Sequence, residues 1–310
     1  MSLLACEGPA SVRIPAALGD SSAQTRLGWM YLKGAGVPQD YAKALEWTKK
    51  AADKAHGEAM DQLGVIYATG MGVAPDLPEA VSWFRRAAGL GVAHAMDQLG
   101  YAYASGQGVP RDDTEAVRCY RMGAEKGLAA AQCNLGLMYD NGRGVPQNYA
   151  EAFRWYTSAA RQGWPAAEYN LGGLYSDGLG VKKDDAEAIR WYEKAAEHGD
   201  ANAPIRVGAI YYHEGNYREA LHWFRRSADE GDSASLYNLA VMYDEGKGMP
   251  PDDAEAYFWA SLAGALGTGD NERKGTELRD ELAEKLSPPV LARTRVRAAS
   301  WLADFQKRRR

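Results

Sequence analysis

Apolar and small residues recur along this chain with two superposed periods. Within short segments they fall at i, i+4 and i+8, as at Ala23, Leu27 and Tyr31, which places them on one face of a 3.6-residue helix. Over longer distances whole segments return. Leu27-Gly28 reappears as Leu63-Gly64, Leu99-Gly100, Leu135-Gly136 and Leu171-Gly172 in steps of 36 residues; Val207-Gly208 continues the series and Leu239-Ala240 follows after 32. Tyr31, Tyr67, Tyr103, Tyr139, Tyr175, Tyr211 and Tyr243 keep the same phase, as do Trp47, Trp83, Trp155, Trp191, Trp223 and Trp259, with Cys119 standing in once. Self-similarity at such a period marks a stack of supersecondary units, none of which can bury its apolar face alone.

Each copy reads as helix, loop, helix. First helices are expected near 22–33, 58–69, 94–105, 130–141, 166–177, 202–213 and 234–245. In the second helix Ala44, Thr48 and Ala51 mark the inward stripe, and Phe84, Tyr120, Tyr156, Tyr192 and Phe224 fill the Thr48 column. The glycine beside each core leucine should let that neighbouring helix come close. The loop repeats Gly34-Ala35-Gly36-Val37-Pro38 with small variations, its first glycine suited to a left-handed helix end. An Asp or Asn then opens the second helix with Glu three residues on, as at Asp76/Glu79, Asp112/Glu115, Asn148/Glu151, Asp184/Glu187, Asn216/Glu219 and Asp252/Glu255, which predicts capping boxes. The sixth copy lacks the Gly-x-Gly insertion, so a tighter turn is expected at Gly215-Asn216.

The chain therefore divides into a lead segment at 1–20, seven repeats over 21–268 and a C-terminal region at 269–310. There a charged helix over 272–286, a break at Ser287-Pro288-Pro289 and an amphipathic helix over 290–306 predict a cap for the last repeat, followed by a basic tail. Arg293, Arg295 and Arg297 give the last helix a second reading, as a membrane-surface helix.

Composition narrows the chemistry. Of 310 residues 46% are apolar and 25% charged, and the net charge of −5 offers no basic field for nucleic acid. No apolar run is long enough to span a membrane. Nor is a signal peptide visible in Met1 to Pro15; the compartment is open, cytoplasmic by default, or exported with a signal peptide already removed. Cys6, Cys119 and Cys133 make no paired framework and read as small apolar residues. His56, His94, His198, His213 and His222 fall into no metal-ligand spacing, and no nucleophile carries a local signature, so no catalytic residue, metal or cofactor is assigned. Gly-x-Gly does not read as a phosphate loop, because no strand precedes it and no Gly-Lys-Ser/Thr follows.

On the first helices the positions opposite the core are free of folding duty. They hold Trp29, Tyr101, Tyr169, Tyr212 and Tyr237 among Asp61, Asp97, Asp140, Asp177 and Asp244. An aromatic, acidic face would favour a partner protein or peptide with basic and apolar residues. The alternative is that curvature of the stack buries these tyrosines against neighbouring first helices. Beside the core runs a polar column, Arg26, Gln62, Gln98, Asn134, Asn170, Arg206 and Asn238. It reads either as repeat-to-repeat hydrogen bonding or, at Asn134, Asn170 and Asn238, as a clamp for a peptide backbone.

The pattern Ala-x3-Leu-Gly-x2-Tyr-x2-Gly-x-Gly-Val, followed by the capping Asp and the Ala-x2-Trp of the second helix, resembles the Sel-one-like repeat family, a relative of the tetratricopeptide repeat, over about four-fifths of the chain. The closing Ala256–Ala263 stretch is similar to the terminal repeat of bacterial members. The resemblance implies an all-α, right-handed α-solenoid of about seven antiparallel helix pairs plus a C-terminal helical cap, with first helices on the concave side. It implies a protein–protein interaction scaffold or adaptor, monomeric or weakly self-associating, and not an enzyme. Two alternatives remain: a hydrolase or cell-wall-active enzyme as suggested for cysteine-rich relatives, whose paired cysteines this chain lacks, and a structural element of an envelope assembly.

Overall fold

In the computed structural model, which describes residues 9–309, the Gly-x-Gly loops at Gly72, Gly108, Gly144 and Gly248 each lie against the start of the preceding second helix. The first glycine ends a helix: Gly142 adopts φ 64° and its N–H bonds the carbonyl of Met138. The second makes a close approach. Gly144, at φ 69°, lies where a Cβ would stand 2.1 Å from the carbonyl oxygen of Asp113, the first residue of the preceding second helix. Between them Arg143 donates to Asp113 at 2.6 Å and to the carbonyl of Ala104 at 2.9 Å. Hydrogen bonds from Arg111 and Arg143 hold the Asp113 carboxyl down at about 2. Asp113 is thus more than a helix-start charge; it anchors the next loop.

The chain divides after Trp164 into two compact units, each a stack of helix pairs. The first contains α1 (Pro9–Ala17), α2 (Ser21–Lys33), α3 (Tyr41–Ala52), α4 (Gly57–Thr69), α5 (Leu77–Gly89), α6 (Ala93–Ser105), α7 (Asp113–Glu125), α8 (Ala129–Asn141) and α9 (Tyr149–Ala160). The second contains α10 (Pro165–Asp177), α11 (Asp185–Glu197), α12 (Ala203–His213), α13 (Tyr217–Asp229), α14 (Ser233–Glu245), α15 (Asp253–Leu266), α16 (Asp270–Lys285) and α17 (Pro288–Arg308). No strand occurs among the described residues. The architecture is an all-α solenoid of helix pairs with additional helices at its C-terminal end.

Within a pair the predicted close approach is direct. A Cβ on Gly136 would fall 2.7 Å from the ring of Tyr156, and the same conflict recurs between Gly64 and Phe84, Gly100 and Tyr120, and Gly208 and Phe224. In the last repeat Ala240 replaces the glycine, and the facing position holds Ala260 instead of a ring. The two columns exchange volume so that packing density is kept.

The capping boxes form only in part. Asp76, Asp112, Asn148, Asp184 and Asp252 each accept from a backbone N–H of the first turn, but Asn216 makes no such bond. The Glu does not supply the return bond. Instead the N–H of the capping residue donates to the carbonyl of the motif tyrosine, as Asp76 does to Tyr67 at 2.9 Å and Asn216 to Tyr211 at 2.9 Å. The glutamates pair one turn along, Glu115 with Arg118 at 2.8 Å and Glu151 with Arg154 at 3.5 Å.

The lead segment contains a helix. Val12 and Ala16 of α1 are buried with Leu27 and Met30, and Gln24 donates to the Ala16 carbonyl at 3.0 Å just as Gln132 does to Ala124 at 3.2 Å. α1 therefore occupies the place of a second helix one repeat earlier. At the other end α16 packs on α15 and α14, while α17 returns onto α15. Ser287 sits at the N-cap of α17 without a side-chain cap bond.

Cys119 and Cys133 are buried, and burial pushes their thiols up to about 11 and about 12. Cys6 lies outside the described residues. No described helix is long and apolar enough to cross a membrane.

Candidate interaction face

The first helices of the N-terminal unit, α2, α4, α6 and α8, lie side by side. Their core leucines point inward, so the opposite side of each helix is the exposed one. The candidate residues on that side fall into separate columns, and the structure treats the columns differently. Trp29, Val65, Tyr101 and Leu137 share one position, 36 residues apart. Trp29 is 45% exposed, Tyr101 51% and Leu137 41%, with Val65 half-buried between them. They make an apolar ridge across four repeats. The corresponding residues of the C-terminal unit are the small Gly173 and Ala209, then Val241.

The column four residues earlier holds Thr25, Asp61, Asp97, Cys133, Tyr169, Ile205 and Tyr237, and at Asp61, Asp97 and Tyr169 it meets the next first helix of the same unit. Asp97 is only 7% exposed and accepts from Asn134 at 2.8 Å, so it is taken up between repeats and is not an open contact. Its burial raises the carboxyl above its ordinary value. Asp61 is paired with His94 Nδ1 at 2.8 Å. In the C-terminal unit Tyr169 accepts from Arg206 Nε at 2.9 Å and packs edge-on against Tyr192, with ring centres 5.3 Å apart. Tyr237 is half-buried. Asn134 and Arg206 both belong to the polar column, and both tie one first helix to the one before it. That is repeat-to-repeat bonding at these two positions; Asn170 and Asn238 are half-buried.

The column at Asp140, Tyr212 and Asp244 is engaged as well. Asp140 accepts from the Tyr156 hydroxyl at 3.1 Å, and Asp244 pairs with Lys285 of α16 at 2.8 Å. Lys247, bonded to Glu245, lies over the Tyr212 ring at 4.7 Å. Asp177 is exposed. The acidic character read from the sequence is therefore answered within the fold, Asp61 by His94 of the same face, Glu245 by Lys247 and Asp244 by Lys285.

Among the described residues two exposed aromatics lie outside all these columns, Tyr41 at the start of α3 and Trp164. Trp164, 40% exposed, precedes α10 and sits within hydrogen-bond reach of Cys133 on α8, adding to the ridge side of the N-terminal unit. His56, at the corresponding place before α4, similarly touches Ser22 and Thr25 of α2.

The histidines do not converge. His94 meets Asp61, and His198 Nδ1 meets the buried Glu168 at 2.7 Å. Among the described residues no group of three His, Cys, Asp or Glu side chains could hold a metal ion. The Asp61 hydrogen bond raises the His94 imidazole above its ordinary 6.5. A raised cationic group stabilises the fold fully below its unfolded value and loses that contribution as pH rises through the raised one. Titration of the imidazole by NMR should show His94 protonated above 6.5, and Asp61→Asn should bring it back down; an unchanged midpoint in that variant would contradict the pairing.

The repeat unit matches a known family along most of the chain. The Sel1 repeat family aligns at residues 21–56, 57–92, 93–128, 129–164, 165–200, 205–232 and 233–268. The chain belongs to the Sel1 repeat family. The shortened sixth match coincides with the missing Gly-x-Gly loop before α13. No curated protein matches the chain. Among solved structures, a Sel1 repeat protein from Oxalobacter formigenes shares 34% identity and a TM-score of 0.66, over 86% of this chain and 78% of that one. The protective antigen c5321 of uropathogenic Escherichia coli, displaying an SLR fold, shares 29% identity and a TM-score of 0.51, over 95% and 79%. Sel1 repeat proteins generally serve as protein-interaction scaffolds, and the fold is typically non-enzymatic.

Proposed function

We propose that this Sel1 repeat protein is an interaction scaffold whose N-terminal unit holds a partner protein segment along the ridge of Trp29, Val65, Tyr101 and Leu137. The observation that carries the reading is the retention of large apolar side chains at one exposed position in successive repeats, where folding needs none. Aromatic anchors at an interface centre contribute most of the binding energy, and contiguous exposed apolar surface on a soluble protein marks interaction sites. The partner supplies apolar anchors spaced to meet successive first helices. Basic residues contribute second, because Asp61, Asp97, Asp140 and Asp244 already have partners within the fold. Glu58, the exposed carboxylate at the start of α4, itself lies 3.2 Å from His56.

The test is capture of partners from the native host by wild-type protein and by a Trp29→Ala/Tyr101→Ala/Leu137→Ala variant, followed by affinity measurement with the captured protein. Loss of two or more anchors should weaken binding by about tenfold or more. Circular dichroism and the melting temperature should stay close to wild type, because the side chains are half in solvent. Equal affinity in the triple variant would place the interface elsewhere.

A further inference from the structure

The return of α17 across the last repeats builds something the repeats alone do not. Between α13, α14, α15 and α17 lies an open cavity of about 530 Å³, lined by Arg225, Tyr243, Glu255, Phe258, Trp259, Arg297 and Trp301. That size is typical of ligand sites. The lining is four aromatic and three charged side chains, a combination that the ridge of the N-terminal unit does not have.

Comparison with the equivalent positions of other repeats shows how the cavity arises. Arg85 and Arg121 donate to the hydroxyls of Tyr103 and Tyr139, as Arg225 does to Tyr243. Glu115 and Glu151 are paired by Arg118 and Arg154 on their own helices. In the last repeat Phe258 stands where that arginine would be, and Arg297 of α17 supplies the guanidinium to Glu255 instead. Arg297 also stacks over the Phe258 ring at 3.9 Å. Trp301 stacks on Phe305 with ring centres 5.0 Å apart, and Phe305 is buried against Gly231, where a Cβ would stand 2.3 Å from the ring. The wall is therefore seated on the fold.

Charge decides what fits. Arg225 and Arg297 face the cavity with Glu255, and Glu255 is occupied by Arg297. Asp229, on the Arg225 helix, lies within electrostatic reach of both Arg225 and Arg308. Arg308 and Arg309 lie over Phe305, behind the Trp301 wall. Arg225 is left with a neutral phenol as its hydrogen-bonded partner, and a guanidinium prefers a carboxylate that it can grip with two parallel bonds. The aromatic walls offer an apolar or aromatic side chain a face to stack on.

We propose that this cavity binds a peptide segment carrying a carboxylate beside an aromatic side chain, the carboxylate on Arg225 and the ring between Phe258 and Trp301. The site is independent of the ridge, and it takes a ligand of opposite charge to the one an acidic face would take. The carboxylate can come from a chain terminus or from an internal acidic residue.

Titration of the indole N–H resonances in tryptophan-labelled protein tests it, with Trp301 assigned from a Trp301→Phe variant. The probes are N-acetylphenylalanine, the blocked dipeptide acetyl-Glu-Phe-amide, and their uncharged counterparts acetyl-Phe-amide and acetyl-Gln-Phe-amide. Saturable Trp301 shifts are expected with one or both acids at about millimolar affinity, and at least about fivefold weaker with the neutral probes. Stronger binding of the first acid identifies a chain terminus as the ligand; stronger binding of the second identifies an internal Glu. Arg225→Gln should lose about fivefold in affinity while Arg190→Gln, paired only along its own helix with Glu187, changes nothing. The proposal is overturned if the neutral probes bind as well as the acids, if Arg225→Gln binds as wild type, or if no acid shifts Trp301.

Discussion

Replacing Leu135 with Ala should lower the free energy of unfolding by about 2–5 kcal/mol. Leu135 is fully buried on α8, in a cluster with Val117, Tyr120, Ala131, Met138 and Trp155. Those neighbours come from three helices, α7, α8 and α9, so the side chain closes both its own pair and the junction to the preceding one. Truncation removes transfer energy and leaves a cavity that rigid rings on either side fill poorly. Stability in such arrays is a sum of repeat terms and nearest-neighbour terms, and this substitution subtracts from both. Urea denaturation measures it. Leu90→Ala, at an exposed leucine, should cost no more than about 0.5 kcal/mol. A loss of under 1 kcal/mol at Leu135 would mean that the pair does not pack as described.

Gly144→Ala should be comparably damaging for a different reason. The substitution forces an L side chain into a left-handed conformation, at about 1–2 kcal/mol. It also drives a methyl group into the backbone of Asp113, which cannot swing aside as a side-chain tip could, and such overpacking costs about 1–3 kcal/mol. Gly127→Ala separates the two effects. Gly127 has φ 86° with nothing within 4 Å of the added Cβ, so it carries the conformational cost alone. The account predicts Gly144→Ala to be the more destabilising of the two by urea denaturation. Equal losses would show that the loop does not lie against α7.

Much of this fold is written in the sequence because the repeat states it seven times. The Leu-Gly pairs, the motif tyrosines and the ring column at Phe84, Tyr120 and Tyr156 reveal the pairing, since from Gly64 to Gly208 each glycine leaves room for the ring that stands opposite. What a linear reading misses lies between repeats. The Glu residues three after the caps suggested reciprocal boxes, yet the tyrosine carbonyl one loop earlier takes the N–H first. α1 stayed hidden because Val12 and Ala16 carry the second-helix stripe without the Trp and loop that mark the other copies.

The candidate face was legible as a set of residues but not as a set of exposures. Trp29, Asp97 and Tyr212 lie within about 60° of one another on a helical wheel. Only neighbouring segments separate them: Asn134 of α8 covers Asp97, and Lys247 of the loop after α14 covers Tyr212. Those partners stand 35 or more residues away in sequence. Trp164 was missed because it belongs to a loop and not to a first helix. The cavity beside α17 had no sequence signal, since Arg225, Glu255 and Arg297 each look like ordinary surface charges until the last helix folds back.

The measurement that bears most directly on the central claim is hydrogen–deuterium exchange of the protein alone and in complex with its captured partner. Slowed exchange is expected in α2, α4, α6 and α8, around Trp29, Val65, Tyr101 and Leu137, with α3, α5 and α7 unchanged. Protection confined to those second helices, with the ridge exchanging as in the free protein, would contradict the account.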